Sequence, residues 1–107
     1  MRKGLQSSGV TISIVTLLEF LRGIENDDKR RKASSLIEQT FEIIDVTKEV
    51  GFSYIKLFFE LRKKGETYSD ADTLIAATAL SRNEPLVTMD RDFLKFEPLI
   101  KVKLLSS

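Results

Sequence analysis

An α/β fold with a mostly parallel sheet is predicted by three observations in the 107-residue chain. Short β-branched runs alternate with segments of helical period along its whole length. Hydroxyl or acidic residues stand where the helical segments begin. Each strand is followed by a helix before the next strand, an order that calls for right-handed crossovers and a layered structure.

The elements follow in chain order. Residues 9–15, GVTISIV, alternate and are rich in β-branched side chains, which predicts a strand. TLLEFLRGIEN then takes a helical pattern, and Thr16 three residues ahead of Glu19 has capping-box spacing. DDKRRKASSLIEQT, 27–40, opens on acids and carries Ala33, Leu36 and Ile37 on one face, the pattern of a second helix. FEIIDVT, 41–47, predicts a short strand. In KEVGFSYIKLFFELRKKG, 48–65, Val50, Tyr54, Leu57, Phe58 and Leu61 recur at helical spacing, the last turn is basic and Gly65 supplies a stop. Phe52, Tyr54, Phe58 and Phe59 are expected to pack the core. Ser69 is an N-cap for a helix from about Asp70 to Asn83 that turns Leu74, Ile75, Ala77, Thr78 and Leu80 inward. PLVTM predicts a buried strand, RDFLKF one helical turn, and IKVKLL an edge strand. No repeat, low-complexity tract or linker interrupts residues 1–107, so a single domain is expected.

Composition excludes several chemistries. With 42% hydrophobic and 31% charged residues the chain has the balance of a soluble globular protein. No apolar run approaches the roughly 18 residues that span a bilayer, and the basic N-terminus is not followed by a signal-type apolar segment, so a cytoplasmic protein with no membrane partner is expected. Cysteine is absent, which removes disulfides, thiolate zinc sites and a cysteine nucleophile. Histidine is absent as well, which removes imidazole acid–base catalysis and histidine metal sites. The formal charge of +1 singles out no partner.

The acids are placed where such a sheet would use them. Functional crevices in α/β sheets lie beyond the carboxyl ends of the strands. Glu19 sits one turn into the helix after the first strand, Asp72 in the first turn after Ser69, and Asp90 and Asp92 directly after PLVT. Clustered carboxylates repel unless they share protons or cations, and without histidine the natural occupant is Mg²⁺ or Mn²⁺, which prefers oxygen ligands. Each acid taken singly also suits a helix start, where the macrodipole favours negative charge. Lys29 to Lys32 beside Asp27 and Asp28 have the pattern of a solvated helix face, whereas Arg22 and Arg91 lie nearer the expected crevice and are the better RNA-phosphate candidates.

SDADTLIAATALSRNEPLVTMDRDF closely resembles the C-terminal signature of PIN-domain ribonucleases, above all the VapC-like toxins, and TISIVTLLEFLRGI resembles the segment carrying the second acid of that family. The resemblance covers nearly all of residues 10–105. It implies a three-layer α/β/α fold and a Mg²⁺- or Mn²⁺-dependent endoribonuclease of toxin–antitoxin type, often dimeric and inhibited by a cognate antitoxin. On that resemblance Glu19, Asp72 and Asp90 match catalytic and metal-binding acids, Asp92 is an auxiliary ligand, Asp70 a helix-start acid, and Thr88 and Ser69 support the site. The family also begins with a strand ending in aspartate, whereas residues 1–18 contain no Asp or Glu. MRKGLQSSG resembles the tail of the helix after that strand, so an N-terminally truncated domain is expected. A late start codon, a truncated gene or supply of the strand by another chain would each account for it. Three acids of four imply weakened cleavage, and open sheet edges imply a homodimer or strand exchange through GVTISIV or PLVTM. The alternative is a non-catalytic remnant that binds an antitoxin or sister toxin, with surplus aromatics on 48–65 marking the surface.

Overall fold

Ser13 both ends the first strand and starts the first helix. The computed structural model of the protein describes residues 10–105, and the helix tail expected in residues 1–9 lies outside them. Strand β1 is Thr11–Ser13 and helix α1 is Ile14–Leu21. The Ser13 hydroxyl accepts the Val15 N–H at 3.0 Å, so the expected strand over 9–15 is cut short and the Thr16–Glu19 capping box does not form. Thr16 stands inside the first turn, because a hydroxyl on an extended residue three positions earlier has already satisfied an orphan amide.

The chain forms two compact units, Met1–Asp45 and Val46–Ser107. In the first, α2 (Asp27–Thr40) leads to β2 (Glu42–Ile44), and β1 and β2 pair in parallel with Ile12 opposite Ile43. Asn26 caps α2 by accepting from the Lys29 N–H at 2.9 Å. Asp27 and Asp28 in the first turn hold Arg30 and Arg31, and Arg30 also donates to the Ile24 carbonyl at 2.7 Å. Half of the basic run is thus engaged locally. Leu36 is exposed, while Ala33 and Ile37, predicted to share its face, are half-buried.

The second unit is built on α3 (Lys48–Lys63) packed against α4 (Asp70–Ser81), followed by β3 (Leu86–Thr88), a 3-10 helix (Arg91–Phe96) and β4 (Val102–Leu104). Strands β3 and β4 are parallel, with Val87 opposite Lys103. Both strand pairs are therefore parallel, as the strand–helix alternation predicts. Val50, Leu57 and Leu61 of α3 meet Ile75, Ala76, Ala77 and Ala79 of α4 in a core completed by Phe93, Phe96, Ile100 and Val102. Small side chains on α4 let the two helices approach closely. Both helices end in the same way. Glu66 N–H bonds the Leu61 carbonyl and Gly65 N–H that of Arg62, with Gly65 at φ 75°. Glu84 and Asn83 repeat the pattern on Ala79 and Leu80, with Asn83 at φ 55°. These are Schellman ends, which need a left-handed residue that Gly or Asn adopts at least cost.

Two core expectations are corrected. Phe52, Phe58 and Phe59 face solvent, because Val50, Leu57 and Leu61 hold the face of α3 turned to α4 and the remaining apolar residues fall on the other side. The PLVTM strand is only partly covered, with Val87 and Met89 exposed.

Candidate functional site

The end of β3 sets two acids in place through a chain of short-range hydrogen bonds. Thr88 Oγ1 accepts the Asp90 N–H at 3.0 Å, and Asp90 Oδ1 accepts the Asp92 N–H at 2.9 Å, capping the 3-10 helix. The cap uses one of the two Asp90 carboxylate oxygens. Ser69 does the same for α4: its Oγ accepts the Asp72 N–H at 3.1 Å, and its carbonyl accepts from Thr73 N and Oγ1. Asp70 is taken up by Tyr54 of α3, whose hydroxyl donates to Oδ1 at 2.6 Å. That bond, with burial and the Asp70 charge behind it, raises the Tyr54 pKa. Asp70 thus ties α3 to α4.

Tyr68, which carries no periodic or motif signal, joins the acids of this unit. Its ring stacks on Phe96 with centroids 4.5 Å apart, Lys95 Nζ lies 5.3 Å from its ring centroid, and its hydroxyl is 3.5 Å from the Asp92 carbonyl. Burial first, and then the charges of Glu66, Asp92 and Asp72, push its pKa up to about 12. Asp72 and Asp92 therefore bear on one phenol. Glu66 Oε1, whose charge also bears on Tyr68, is buried without a hydrogen-bond partner among the described residues. The raised value means that the fold holds the phenolic proton more tightly than the unfolded chain does. Any stability from this group is complete below the ordinary pKa of 10.0 and is lost as pH rises through about 12. Both tyrosines are raised, and ultraviolet titration is expected to lose its latest ionisation, at about 12, in Tyr68→Phe; persistence of that late step in the variant would disprove the placement.

In the first unit Glu19 is half-buried on α1, with Arg22 one turn on at 4.0 Å. At that distance and exposure the pair contributes little to stability, which leaves both side chains open to a ligand. Arg91 is exposed at the start of the 3-10 helix. The donor set, all carboxylate oxygen, suits Mg²⁺ or Mn²⁺. Among the described residues, however, no group of three or more Asp, Glu, His or Cys side chains could hold a metal ion. No helix of the described residues is long and apolar enough to cross a membrane.

Comparison with known proteins places this arrangement. The model of the PIN domain matches residues 2–97. Ribonuclease VapC1 of Methanocaldococcus jannaschii is 36% identical over 83 residues, 78% of this chain and 60% of that relative, so the chain spans about three fifths of its length. Ribonuclease VapC2 of Rickettsia felis is 30% identical over 99 residues, 89% of this chain and 74% of the relative. Among solved structures, VapBC2 from Rickettsia felis bound to a DNA fragment from their promoter superposes with a TM-score of 0.81 at 27% identity, covering 92% of this chain and 76% of that one. VapBC-5 from Mycobacterium tuberculosis, a toxin–antitoxin system, shares the fold with a TM-score of 0.77 at 23% identity, covering 96% and 87%. With parallel strand pairs, an acid pair at the end of β3 and a family match over most of its length, the chain belongs to the PIN-domain family as a VapC-like member.

Proposed function

We propose that the chain is the catalytic part of a VapC-like endoribonuclease of toxin–antitoxin type, cleaving RNA phosphodiesters and held in check by a cognate antitoxin. The observation that carries the reading is the acid group of the second unit: Asp90 and Asp92 follow β3 in one capped turn, and Asp92 and Asp72 act on the same Tyr68. Glu19 of the first unit is the third acid we assign to catalysis with Asp72 and Asp90. Thr88 and Ser69 hold backbone positions for these acids, and Arg22 and Arg91 are assigned to RNA phosphates, which attract accessible guanidinium groups. Mg²⁺ or Mn²⁺ is assigned as cofactor on donor chemistry alone, and no reaction step is routed through it.

The test is cleavage of single-stranded RNA by the purified chain. EDTA should abolish it and excess Mg²⁺ or, more effectively, Mn²⁺ should restore it, following the Irving–Williams order. Cleavage that persists undiminished in EDTA would remove the cofactor assignment.

A further inference from the structure

The backbone beside each acid of the second unit is shaped by bonds inside its own element. Thr88 Oγ1 and Asp90 Oδ1 form the turn after β3 by accepting the Asp90 and Asp92 N–H groups at 3.0 Å and 2.9 Å, and Ser69 Oγ forms the start of α4 by accepting the Asp72 N–H at 3.1 Å. Bonds of this kind set the direction of a backbone but not the distance between two elements. The 3-10 helix that begins in the acid turn is six residues long, and 3-10 hydrogen bonds have poorer geometry than those of an α-helix. Bracing from outside is what such a segment needs.

Tyr68 supplies a brace at the right place. It immediately precedes Ser69, the N-cap of α4, so whatever its ring holds is tied one peptide away from the segment that carries Asp72. The ring stacks on Phe96 at the far end of the 3-10 helix, with centroids 4.5 Å apart and planes 23° apart, and Phe96 has no exposed surface. Lys95 Nζ lies 5.3 Å from the ring centroid, and the hydroxyl reaches the Asp92 carbonyl at 3.5 Å. One side chain thus meets the 3-10 helix from residue 92 to residue 96. A tyrosine has only two side-chain torsions, which makes it a stiff strut. Its hydroxyl bond is at the outer limit of hydrogen-bond length, so the ring carries the contact. The charges of Asp72 and Asp92 both act on the phenol, as a group between the two elements requires. That separation matters chemically, because misplacing a reacting group by about 1 Å can cost about a hundredfold in rate.

We propose that Tyr68 is a positioning residue for RNA cleavage: its ring holds the 3-10 helix, and with it the Asp90–Asp92 turn, at a fixed distance from the start of α4 and so from Asp72. The inference deepens the ribonuclease reading and rests on it for the reaction, whereas the brace itself is measured without RNA.

Backbone hydrogen exchange of the full chain by NMR reads the brace. In Tyr68→Leu, which keeps apolar bulk but not the flat ring, the Asp92, Phe93 and Glu97 amides should exchange at least about tenfold faster relative to those of α4, while Tyr68→Phe leaves the ratio unchanged. A general loss of stability would speed both sets together, and that result overturns the proposal, as does a ratio unmoved in Tyr68→Leu. Cleavage of single-stranded RNA reads the consequence. Per folded molecule, Tyr68→Leu should lower kcat at least about tenfold with KM within about twofold, and Tyr68→Phe should stay within about threefold of wild type. In an Asp72→Asn background Tyr68→Leu should cost less than about a further twofold, because groups that act as a unit are not additive. Losses that multiply in full, or a Tyr68→Phe as impaired as Tyr68→Leu, overturn the proposal. If the wild-type chain cleaves no RNA, the ribonuclease reading fails and takes the catalytic consequence with it, while exchange still decides the brace.

Discussion

Asp72→Asn is expected to lower RNA cleavage by about a hundredfold or more while leaving the fold intact. A positioned group that moves protons or steadies charge in a transition state contributes about 10²–10⁴-fold in rate. The structural role of the same carboxylate is far smaller. Its helix start is secured by the Ser69 hydroxyl, which binds the backbone N–H of residue 72 and not its side chain. What the substitution removes from α4 is one first-turn charge, about 0.3–1 kcal/mol against the macrodipole. Rate and stability therefore separate. Initial rates and a thermal melt in one buffer would show a large fall in the first and a shift of a few degrees in the second. Rates within twofold of wild type would return Asp72 to the role of a helix-start acid, as Asp70 already is through Tyr54. Because the Asp72 charge is among those holding the Tyr68 pKa up, behind burial, Glu66 and Asp92, the same variant should also let Tyr68 ionise slightly earlier. That readout reports the geometry even in a protein with little activity.

Phe96→Ala is expected to cost about 3–5 kcal/mol, the range for emptying a buried aromatic site, whereas Phe59→Ala should fall within about 0.5 kcal/mol of wild type as an exposed substitution. Phe96 has no exposed surface and stacks on both Tyr68 at 4.5 Å and Phe93 at 5.7 Å. It joins the 3-10 helix to the loop that carries Tyr68, so its loss should loosen the Asp90–Asp92 turn as well as the core. Lys64 braces the same helix by donating to the Lys95 and Glu97 carbonyls at 3.1 Å each, but those exposed bonds do not replace the lost burial. Urea unfolding checks the pair of variants. With total stabilities of about 5–15 kcal/mol in such domains, Phe96→Ala removes a large part of the whole. Equal costs for Phe96 and Phe59 would mean that the outer face of α3 is covered in solution.

The residues by themselves determined the order of elements, the parallel pairing, the cap at Ser69 and the stop at Gly65, because each rests on interactions within a few positions along the chain: hydrogen-bond geometry, side-chain period and the φ that glycine permits. They also marked Glu19, Asp72, Asp90 and Asp92, since four acids beside apolar runs in a chain without histidine or cysteine leave few other chemistries. Where two local solutions competed, neighbouring residues decided it; Ser13 captured the helix start that Thr16 also offered. Helix α3 shows the limit best. Val50, Tyr54, Leu57 and Leu61 make one apolar stripe and Phe52, Ile55 and Phe59 another, and a helical period gives no reason to bury one and not the other. Only packing against the small side chains of α4 chose between them. Tyr68 lay beyond sequence reading for the same reason: a lone aromatic between Thr67 and Ser69 has no pattern, and its place against Phe96 and the Asp92 carbonyl comes from contacts 28 and 24 positions away in the chain. Burial and electrostatics act through space, and it is the tertiary fold that sets those distances.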